Sequence, residues 1–538
     1  MKLSASAHID TFCRDNLPPY DQWPVLRYDL AELDYPERVN CAAELLDHTI
    51  GRLGPDRPCV AAEDMQWSYG ELLRHANQVA NVLVNELHIV PGNRVLLRGP
   101  NTPWLVAAWF GVVKAGAVAV TTVPALRTTE LADIVELSRP SAALCDHRAL
   151  DDLRAVQASI PIVAYGGDAA DDLVNRCPAQ PDVFTNIDTA ADDVVLLAFT
   201  SGTTGKPKAA MHFHRDVLAI ADTFSRHILK PTPEDVFIGT PPMAFTFGLG
   251  GLVIFPMRIG ASSYLIERAT PTELADVVQR IRATVLFTAP TAYRAIIATG
   301  DVAKLRSVRR AVSAGEHLPE SVWRQFHIAT GLSIINGIGA TEMLHVFIAS
   351  AGDDIRPGAT GKVVPGYEAM VLDEFGEPVP DGKSGRLAVR GPTGCRYLAD
   401  DRQRVYVENG WNITGDTFRR DADGYFWYEA RNDDMIISAG YNIAAPEVEQ
   451  ALLLHPDVAE CAVVGWPDEN RGSIVKAYVV LAPDATGDED EIHALQDHVK
   501  AAIAPYKYPR AIEFLPALPK TATGKVSRKA LRDLATVA

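Results

Sequence analysis

The stretch that decides the fold is Val194-Val-Leu-Leu-Ala-Phe-Thr200-Ser-Gly-Thr-Thr-Gly-Lys-Pro-Lys208. Its first six residues form a short apolar run, which is typical of a buried strand. The loop that follows has two glycines and four hydroxyl residues ahead of its lysines. Backbone N–H groups and hydroxyls in such a loop can surround phosphate oxygens, and a lysine adds positive charge. We therefore predict a phosphate-binding loop at 200–208, with a simple Gly/Thr-rich turn as the alternative.

The spacing of this loop differs from that of a P-loop. A P-loop requires G-x-x-x-x-G-K-[ST], with its last hydroxyl on Mg²⁺. Here Gly202 and Gly205 are closer together, and Pro207 follows Lys206. The loop therefore indicates phosphate binding of another kind.

The chain around the loop alternates strand and helix patterns, which indicates an α/β fold with mostly parallel sheets flanked by helices. The apolar segment 103–124 contains Lys114 and Gly116, and this favours a buried helix and a strand over a membrane span. Strands are predicted over 117–123, 194–199, 285–289, 310–313 and 333–338, and helices over 104–114, 216–228, 274–282 and 319–330.

Two further patterns follow toward the C-terminus. From about Gly361, short alternating strands and turn residues indicate a small β-rich subdomain. After Arg431 we predict helices over 446–454 and 492–503, strands over 460–464 and 476–481, and an acidic solvated loop over 482–491. The predicted organisation is a large N-terminal domain over 1–430, a hinge over 431–433, and a mobile α+β C-terminal domain over 434–538.

Composition excludes several classes of protein. The 538 residues include 51 Lys and Arg and 68 Asp and Glu, and the net charge of −17 argues against a nucleic-acid-binding body. The seven cysteines are scattered, and the first 19 residues lack an apolar stretch, so we expect a cytoplasmic protein with no membrane segment. His212 and His214 alternate but have no third ligand nearby, which favours structural roles over a metal site.

Five segments in order resemble the signatures of the adenylate-forming superfamily of acyl-CoA synthetases, peptide-synthetase adenylation domains and luciferases. They are the loop at 200–208, Asn336-Gly-Ile-Gly-Ala-Thr-Glu-Met343, Thr414-Gly-Asp-Thr417, the stretch 431–449 and Pro519-Lys-Thr-Ala-Thr-Gly-Lys525. Together they span most of the chain. The resemblance implies a ligase that uses ATP, Mg²⁺ and coenzyme A and forms an acyl adenylate.

The resemblance also implies a nucleotide site. Glu342 offers a hard oxygen ligand for Mg²⁺ and Thr341 a donor for the α-phosphate, with a helix N-cap formed by this pair as the alternative. Asp416, in a Gly-flanked turn, offers two acceptors for the ribose hydroxyls, and ordinary turn chemistry is its alternative. Ile338 stands where the family usually has an aromatic ring against adenine. The implied ATP- and AMP-binding residues are Thr200, Ser201, Gly202, Thr203, Thr204, Gly205, Lys206, Gly315, Glu316, Asn336, Gly337, Ile338, Gly339, Asp416, Tyr428 and Arg431.

Lys525 is implied as the adenylation lysine, which neutralises charge between the carboxylate and the α-phosphate. The implied catalytic residues are Lys525, Thr341, Glu342 and Arg431. The stretch 431–449 implies a hinge at Asp433 and a CoA tunnel lined by Ser438, Ala439, Gly440 and Tyr441.

The stretch 241–250 resembles the aromatic gate of the acid site. It contains no Asp, which argues against an α-amino acid substrate. Phe245 and Phe247 are predicted to share one face of a strand, and plain core positions are the alternative. Aromatic faces, small residues and glycine suit a flat ring better than a flexible chain. The implied pocket consists of Phe245, Thr246, Phe247, Thr288, Ala289, Ser313, Ala314, Gly339 and His345.

Within the superfamily, the stretches 339–347, 356–361 and 364–367 resemble the benzoate–CoA ligase group, and ligases of 2-aminobenzoate in particular. This implies a 2-aminobenzoate substrate, with salicylate or benzoate close behind. We expect Thr246, Ser313 or His345 to hydrogen-bond an ortho amino or hydroxyl group. The alternatives are an aryl-AMP ligase that loads a carrier protein in trans and a nucleotide sensor without turnover. The protein is expected to be a monomer or a homodimer.

Overall fold

The apolar run before the phosphate loop forms a strand of a six-stranded sheet, here called sheet A. The computed structural model describes residues 3–201, 207–431, 435–438, 441–468, 472–483, 485–503, 505–521 and 525–534. The first five strands of sheet A are parallel and the last is antiparallel. In spatial order they are Ile162–Tyr165, Ala142–Asp146, Arg94–Arg98, Val118–Thr122, Val194–Ser201 and Pro207–Phe213.

A second sheet, sheet B, has nine strands and is also mostly parallel. Its six central strands are parallel, and antiparallel strands close both edges. The spatial order is Lys362–Val363, Val346–Ala349, Ile334–Gly339, Arg310–Ser313, Val285–Thr288, Val236–Gly239, Ser262–Leu265, Pro58–Ala61 and Gln66–Ser68. The predicted α/β class is confirmed.

Several helices begin where the sequence supplies capping groups. Thr102 accepts a hydrogen bond from the Leu105 N–H and Pro103 occupies the first position, so the predicted buried helix begins there and runs to Lys114. Longer helices are Tyr69–Asn81, Pro103–Lys114, Thr128–Ser138, Pro271–Ile281, Pro290–Thr299 and Glu320–Thr330; shorter ones are Phe12–Asp15, His48–Leu53, Leu150–Ala155, Leu173–Arg176, His214–Ile220, Thr246–Leu249, Phe255–Ile259 and Gln403–Tyr406.

Several predicted boundaries are wrong. The helix predicted at 216–228 begins at His214 and continues as a π-helix over Ala221–Leu229, because apolar periodicity alone does not separate these two helix types. Pro319 lies before its helix as the N-cap residue. The acidic loop predicted at 482–491 ends early, because the Asp488 side chain caps a helix that begins at Glu489.

The β-rich subdomain is a five-stranded antiparallel sheet, sheet C. Its strands are Glu368–Leu372, Ser384–Arg390, Val407–Glu408, Trp411–Arg420 and Phe426–Arg431. The C-terminal region contains the hairpin Met435–Ser438 and Tyr441–Ala444, a sheet of Val458–Asp468, Gly472–Leu481 and Ala511–Phe514, and the helices Ala445–Leu453, Glu489–Ala502 and Arg528–Asp533. The strands predicted at 460–464 and 476–481 are both longer, because they pair along a continuous hairpin.

The hinge residue Asp433 lies outside the described residues, as do 432 and 434. Across the described ranges, the protein contains no helix with the length and apolar character needed to cross a bilayer.

Candidate active site

The carboxyl ends of the central strands of sheet B converge on one edge. Thr288 and Ser313 are neighbours in register, and Ser313 is in turn a neighbour of Asn336. Thr288 and Ser313 are fully buried. Ligands of open α/β sheets bind outside the carboxyl ends of the strands. This edge therefore is the natural location of a ligand site, and it brings three residues of the predicted site together.

The turn that follows strand Ile334–Gly339 carries Thr341 and Glu342. It is a single 3₁₀ turn, and the N-cap position belongs to Ala340, with no side-chain cap. The N-cap interpretation of Thr341 and Glu342 is therefore wrong. Leu344, two residues after Glu342, has a φ of 65°. Backbone in this region is uncommon for a residue with a Cβ, and such strain concentrates at functional sites.

Glu342 is buried and its charge is balanced. The Tyr397 hydroxyl donates a hydrogen bond to its Oε1 atom. Lys208 Nζ lies 3.8 Å from the same oxygen and donates to the Tyr397 hydroxyl at 2.7 Å. The carboxylate is thus held beside the phosphate-loop hairpin, in which Thr200 pairs with Lys208.

The residues His212 and His214 hydrogen-bond to the main chain. His212 is fully buried, and its Nε2–H donates to the Thr341 carbonyl at 2.8 Å. His214 Nδ1 accepts from the Cys41 N–H at 3.1 Å, and burial lowers the pKa of His214 to about 3. His212 therefore supports the turn that carries Glu342.

Asp416 lies in a strand, so its predicted turn location is wrong. The residue belongs to strand Trp411–Arg420, where it pairs in register with Arg431 of the neighbouring strand. The preceding Gly415 has a φ of 77°, and the pairing with strand Ser384–Arg390 shifts register between Ile413 and Thr417, so a bulge in the strand produced the turn-like sequence pattern. This pairing brings the backbones of two predicted nucleotide-binding residues together.

The Gly315–Glu316 loop meets the C-terminal region. A Cβ built on Gly315 would lie 3.8 Å from Lys525 Cε and 3.9 Å from its Nζ. Burial raises the pKa of the Glu316 carboxyl, against the opposing charges of Lys525 and Lys520. The lysine predicted from a distant motif therefore lies beside the predicted nucleotide loop.

His317 links this loop to the C-terminal region by a second contact. Its Nε2 atom accepts a hydrogen bond from the Gln450 side-chain amide at 2.5 Å. Its ring also stacks on Tyr428, with centroids 5.2 Å apart. Burial, aided by the charge of Arg528, lowers the pKa of His317 to about 4, so the ring is neutral and can accept. Sequence reasoning missed His317 and Gln450, because neither belongs to a signature.

The predicted acid pocket is built around an aromatic cluster. The His345 ring lies 4.6 Å from Phe255, 5.4 Å from Phe224 and 5.6 Å from Phe247, measured between centroids. A Cβ on Gly250 would lie 2.4 Å from His345 Cδ2, so only glycine leaves room for the imidazole. Burial lowers the pKa of His345 to about 3, against a small opposing effect of the Phe247 backbone.

Phe245 and Phe247 do not lie on a strand. Phe245 is the N-cap residue of the short helix Thr246–Leu249, and Phe247 is inside it. Both side chains are half-buried, and Phe247 packs against Phe287 at 5.5 Å as well as against His345. The prediction that both phenyl rings share one strand face is therefore wrong, because this stretch forms a helical turn. A Cβ on Gly248 would lie 2.2 Å from the Pro242 carbonyl oxygen, so only glycine permits that close approach.

Three buried polar atoms of the predicted pocket have no hydrogen-bond partner among the described residues. They are Ser313 Oγ and both ring nitrogens of His345; the Phe247 backbone lies near the His345 ring but meets neither nitrogen with hydrogen-bond geometry. Ala314 and Thr246 are also buried, while Ala289 and Ile338 are half-buried and Gly339 is exposed. A Cβ on Gly339 would lie 2.6 Å from the His345 carbonyl oxygen, which places Gly339 directly against the His345 backbone.

Part of the predicted site cannot be placed. Outside the described residues are Gly202, Thr203, Thr204, Gly205, Lys206, Asp433, Ala439 and Gly440. The backbones of Ser201, Arg431 and Tyr441 lie in strands, and Ser438 is buried in the strand that pairs with Tyr441.

Two family models match the chain. The AMP-binding enzyme model matches residues 47–397, and the model of the AMP-binding enzyme C-terminal domain matches residues 447–525. Because the first match alone spans more than half of the chain, the protein belongs to the AMP-binding, adenylate-forming enzyme family.

Individual relatives refine this class. The chain is 34% identical over 515 residues to a benzoate–CoA ligase of Thauera aromatica, covering 93% of this chain and 96% of the relative. It is 32% identical over 530 residues to the mitochondrial acyl-coenzyme A synthetase ACSM3 of Mus musculus, covering 93% of this chain and 91% of that relative. The structure of the anthranilate CoA ligase AuaEII in complex with anthranoyl-AMP matches with a TM-score of 0.89 and 33% identity, covering 94% of this chain and 99% of that chain. The resemblance to the benzoate–CoA ligase group is confirmed, and the protein is an AMP-forming acid–thiol ligase.

Proposed function

We propose that this ligase activates a benzoate-type acid, with 2-aminobenzoate as the best candidate, and transfers the aryl group to coenzyme A. The observation that carries the proposal is the aromatic cluster around His345, with unpartnered polar atoms on His345 and Ser313. Phenyl rings favour a flat apolar ring, and a buried polar atom gains most when the ligand supplies its partner. An ortho amino or hydroxyl group has that chemistry.

The nucleotide is proposed to bind at the carboxyl ends of the strands. The phosphate loop at 200–206 binds the phosphates, Asp416 accepts hydrogen bonds from the ribose hydroxyls, and Ile338 packs against adenine. Glu342 is the carboxylate that would hold the Mg²⁺ of Mg-ATP, because hard oxygen ligands suit this ion. Thr341 donates to the α-phosphate.

The first half-reaction joins the acid to AMP. A carboxylate oxygen of the acid attacks the α-phosphorus, the bond from that phosphorus to the bridging oxygen breaks, and pyrophosphate leaves. Lys525 neutralises the charge that builds up between the two anions, and its location beside Gly315 supports this role. No side chain forms a covalent bond, so the catalytic contribution is positioning and charge neutralisation.

The second half-reaction releases AMP. The sulfur of coenzyme A attacks the carbonyl carbon of the aryl adenylate, and the bond to the AMP oxygen breaks. We propose that the domain from residue 434 onward rotates about Asp433 between the two steps. Lys525 then withdraws, and Ser438, Ala439, Gly440 and Tyr441 line the path of the thiol.

The test is AMP release with ATP, Mg²⁺ and coenzyme A over benzoate, 2-aminobenzoate, salicylate, 4-hydroxybenzoate, cinnamate and octanoate. We expect CoA-dependent turnover to be highest with an ortho-substituted benzoate. Preference for octanoate or cinnamate would reject the aryl pocket. Adenylate formation without thioester would indicate a carrier protein as the acceptor instead.

A His345→Ala variant tests the ortho contact separately. Its turnover should fall more for 2-aminobenzoate and salicylate than for benzoate. An equal change for all three acids would exclude His345 as the residue that recognises the ortho group and leave Ser313 and Thr246.

A further inference from the structure

Residues 396–398 run along the edge strand of sheet A, Pro207–Phe213. The Met211 N–H donates to the Arg396 carbonyl at 2.7 Å, and the Leu398 N–H donates to the Ala209 carbonyl at 2.9 Å. Successive side chains of extended backbone point to opposite sides. Arg396 accordingly pairs with the buried Asp216, whereas Tyr397 faces the phosphate-loop strand and Glu342.

The backbone around Tyr397 is fixed from several sides. Gln403 Oε1 accepts from the Tyr397 N–H at 2.8 Å, and the same side chain donates to the Cys395 carbonyl at 3.1 Å. The Tyr397 ring also packs edge-on against Tyr406, with centroids 5.8 Å apart. The phenol hydroxyl therefore has a defined location.

That hydroxyl lies between two opposite charges. It accepts from Lys208 Nζ at 2.7 Å and donates to Glu342 Oε1, while Lys208 Nζ stays 3.8 Å from that oxygen. Lys208 Nζ is also 4.6 Å from the centroid of the Tyr397 ring, which adds a cation–π contact. Lysine and carboxylate are thus close but not in direct contact.

We propose that Tyr397 is a positioning residue that acts as a spacer and keeps the ammonium of Lys208 off the Glu342 carboxylate. The carboxylate then remains available to the divalent cation that enters with ATP. This inference rests on the proposed role of Glu342 as the group that receives that cation.

The expected size of the effect follows from the distances. Without the hydroxyl, Lys208 can close from 3.8 Å to a direct charge-assisted contact of about 2.8 Å. At an effective dielectric constant of about 20, this shift strengthens the ion pair by roughly tenfold as an equilibrium constant. The cation must then displace a tighter ion pair, so its affinity should fall by about the same factor.

The experiment measures Mn²⁺ binding to the full-length enzyme with α,β-methylene-ATP bound, by electron paramagnetic resonance. Four proteins form a double-mutant cycle: wild type, Tyr397→Phe, Lys208→Met and the double variant. Affinity for α,β-methylene-ATP without metal is measured for each, so that loss of nucleotide is not mistaken for loss of cation. Tyr69→Phe is the matched control, because it removes another buried hydroxyl, one that donates to the Ala261 carbonyl.

Tyr397→Phe should weaken Mn²⁺ binding roughly tenfold in the wild-type background and not at all when residue 208 is Met. An equal loss in both backgrounds would overturn the spacer role, because it would mean that the hydroxyl only orients Glu342. An unchanged affinity in the Tyr397→Phe variant would overturn it as well.

A Glu342→Gln variant separates this inference from the proposed function. If Glu342→Gln leaves Mn²⁺ affinity unchanged, the assignment of Glu342 as the cation ligand is wrong. If Glu342→Gln weakens binding while Tyr397→Phe does not, only the spacer inference fails.

Discussion

A single methyl group at Gly250 should disable the acid pocket while leaving the nucleotide site intact. Gly250 has a helical backbone, with φ −60° and ψ −56°, so alanine adds no backbone strain. The new Cβ would lie 2.4 Å from Cδ2 and 2.7 Å from Nε2 of His345, and 3.2 Å from Cζ of Phe255. Carbon atoms in good contact are about 3.5–4.0 Å apart. The His345 ring must therefore retreat by about 1 Å.

The ring cannot retreat freely, because Phe224, Phe247 and Phe255 enclose it. Overpacking of this kind costs about 1–3 kcal/mol of stability. A displacement of about 1 Å at a reacting site can cost about a hundredfold in rate. We expect kcat/KM for the aryl acid to fall by about that factor, with the KM for ATP unchanged.

The assay is steady-state AMP release with 2-aminobenzoate and benzoate, together with thermal unfolding. Gly51→Ala is the matched control, since Gly51 lies in the exposed helix His48–Leu53 and its Cβ would meet nothing within 4 Å. That variant should be stabilised by about 0.5–1 kcal/mol. Unchanged stability and unchanged kcat/KM for both acids in Gly250→Ala would refute the enclosed placement of His345.

Three further outcomes are expected. Burial lowers the pKa of His345 to about 3 from 6.5, so the contribution of its neutral form to stability is full above pH 6.5 and is lost as the pH falls toward 3. Urea unfolding at pH 7 and pH 5 should show that the free energy of unfolding falls by roughly 2 kcal/mol less in His345→Leu than in wild type. Equal falls in the two proteins would contradict the pKa shift. Lys525→Ala should raise the barrier to adenylate formation by about 2.7–4 kcal/mol while sparing thioester formation from supplied aryl-AMP, which single-turnover assays of each half-reaction measure. Asp433→Pro should spare adenylate formation and block thioester formation, and an equal loss of both half-reactions would reject the hinge.

Local patterns predict the strands and most helices because each depends on a short stretch of sequence. The strand Arg310–Ser313 has the predicted bounds, and the buried helix Pro103–Lys114 begins one residue early, at a proline that capping rules favour. The errors have local causes too. A bulge at Gly415 imitated a turn around Asp416, and the alternation of Phe245 and Phe247 imitated a strand where Thr246–Leu249 is helical.

The residues that sequence reasoning missed are placed by tertiary contacts. Lys208 was visible within the phosphate loop, but nothing in its spacing indicates that it lies near Glu342. Tyr397 belongs to no signature, and only the pairing of its segment with the edge of sheet A brings it to the site. Such contacts join positions more than 100 residues apart, and a motif read along the chain does not contain them.

In the proposed nucleotide site, each of the two large sheets supplies part of the lining, and side chains from both meet around Glu342. Sheet A provides the phosphate-loop hairpin with Lys208, and sheet B provides the turn with Glu342. His212 on sheet A holds that turn through the Thr341 carbonyl. A carboxylate facing anionic phosphates, in a protein of net charge −17, would repel the nucleotide unless a cation balanced it. In the proposed site, Lys208 supplies that balance before the nucleotide arrives, and Tyr397, as the proposed spacer, leaves the carboxylate open to the divalent cation.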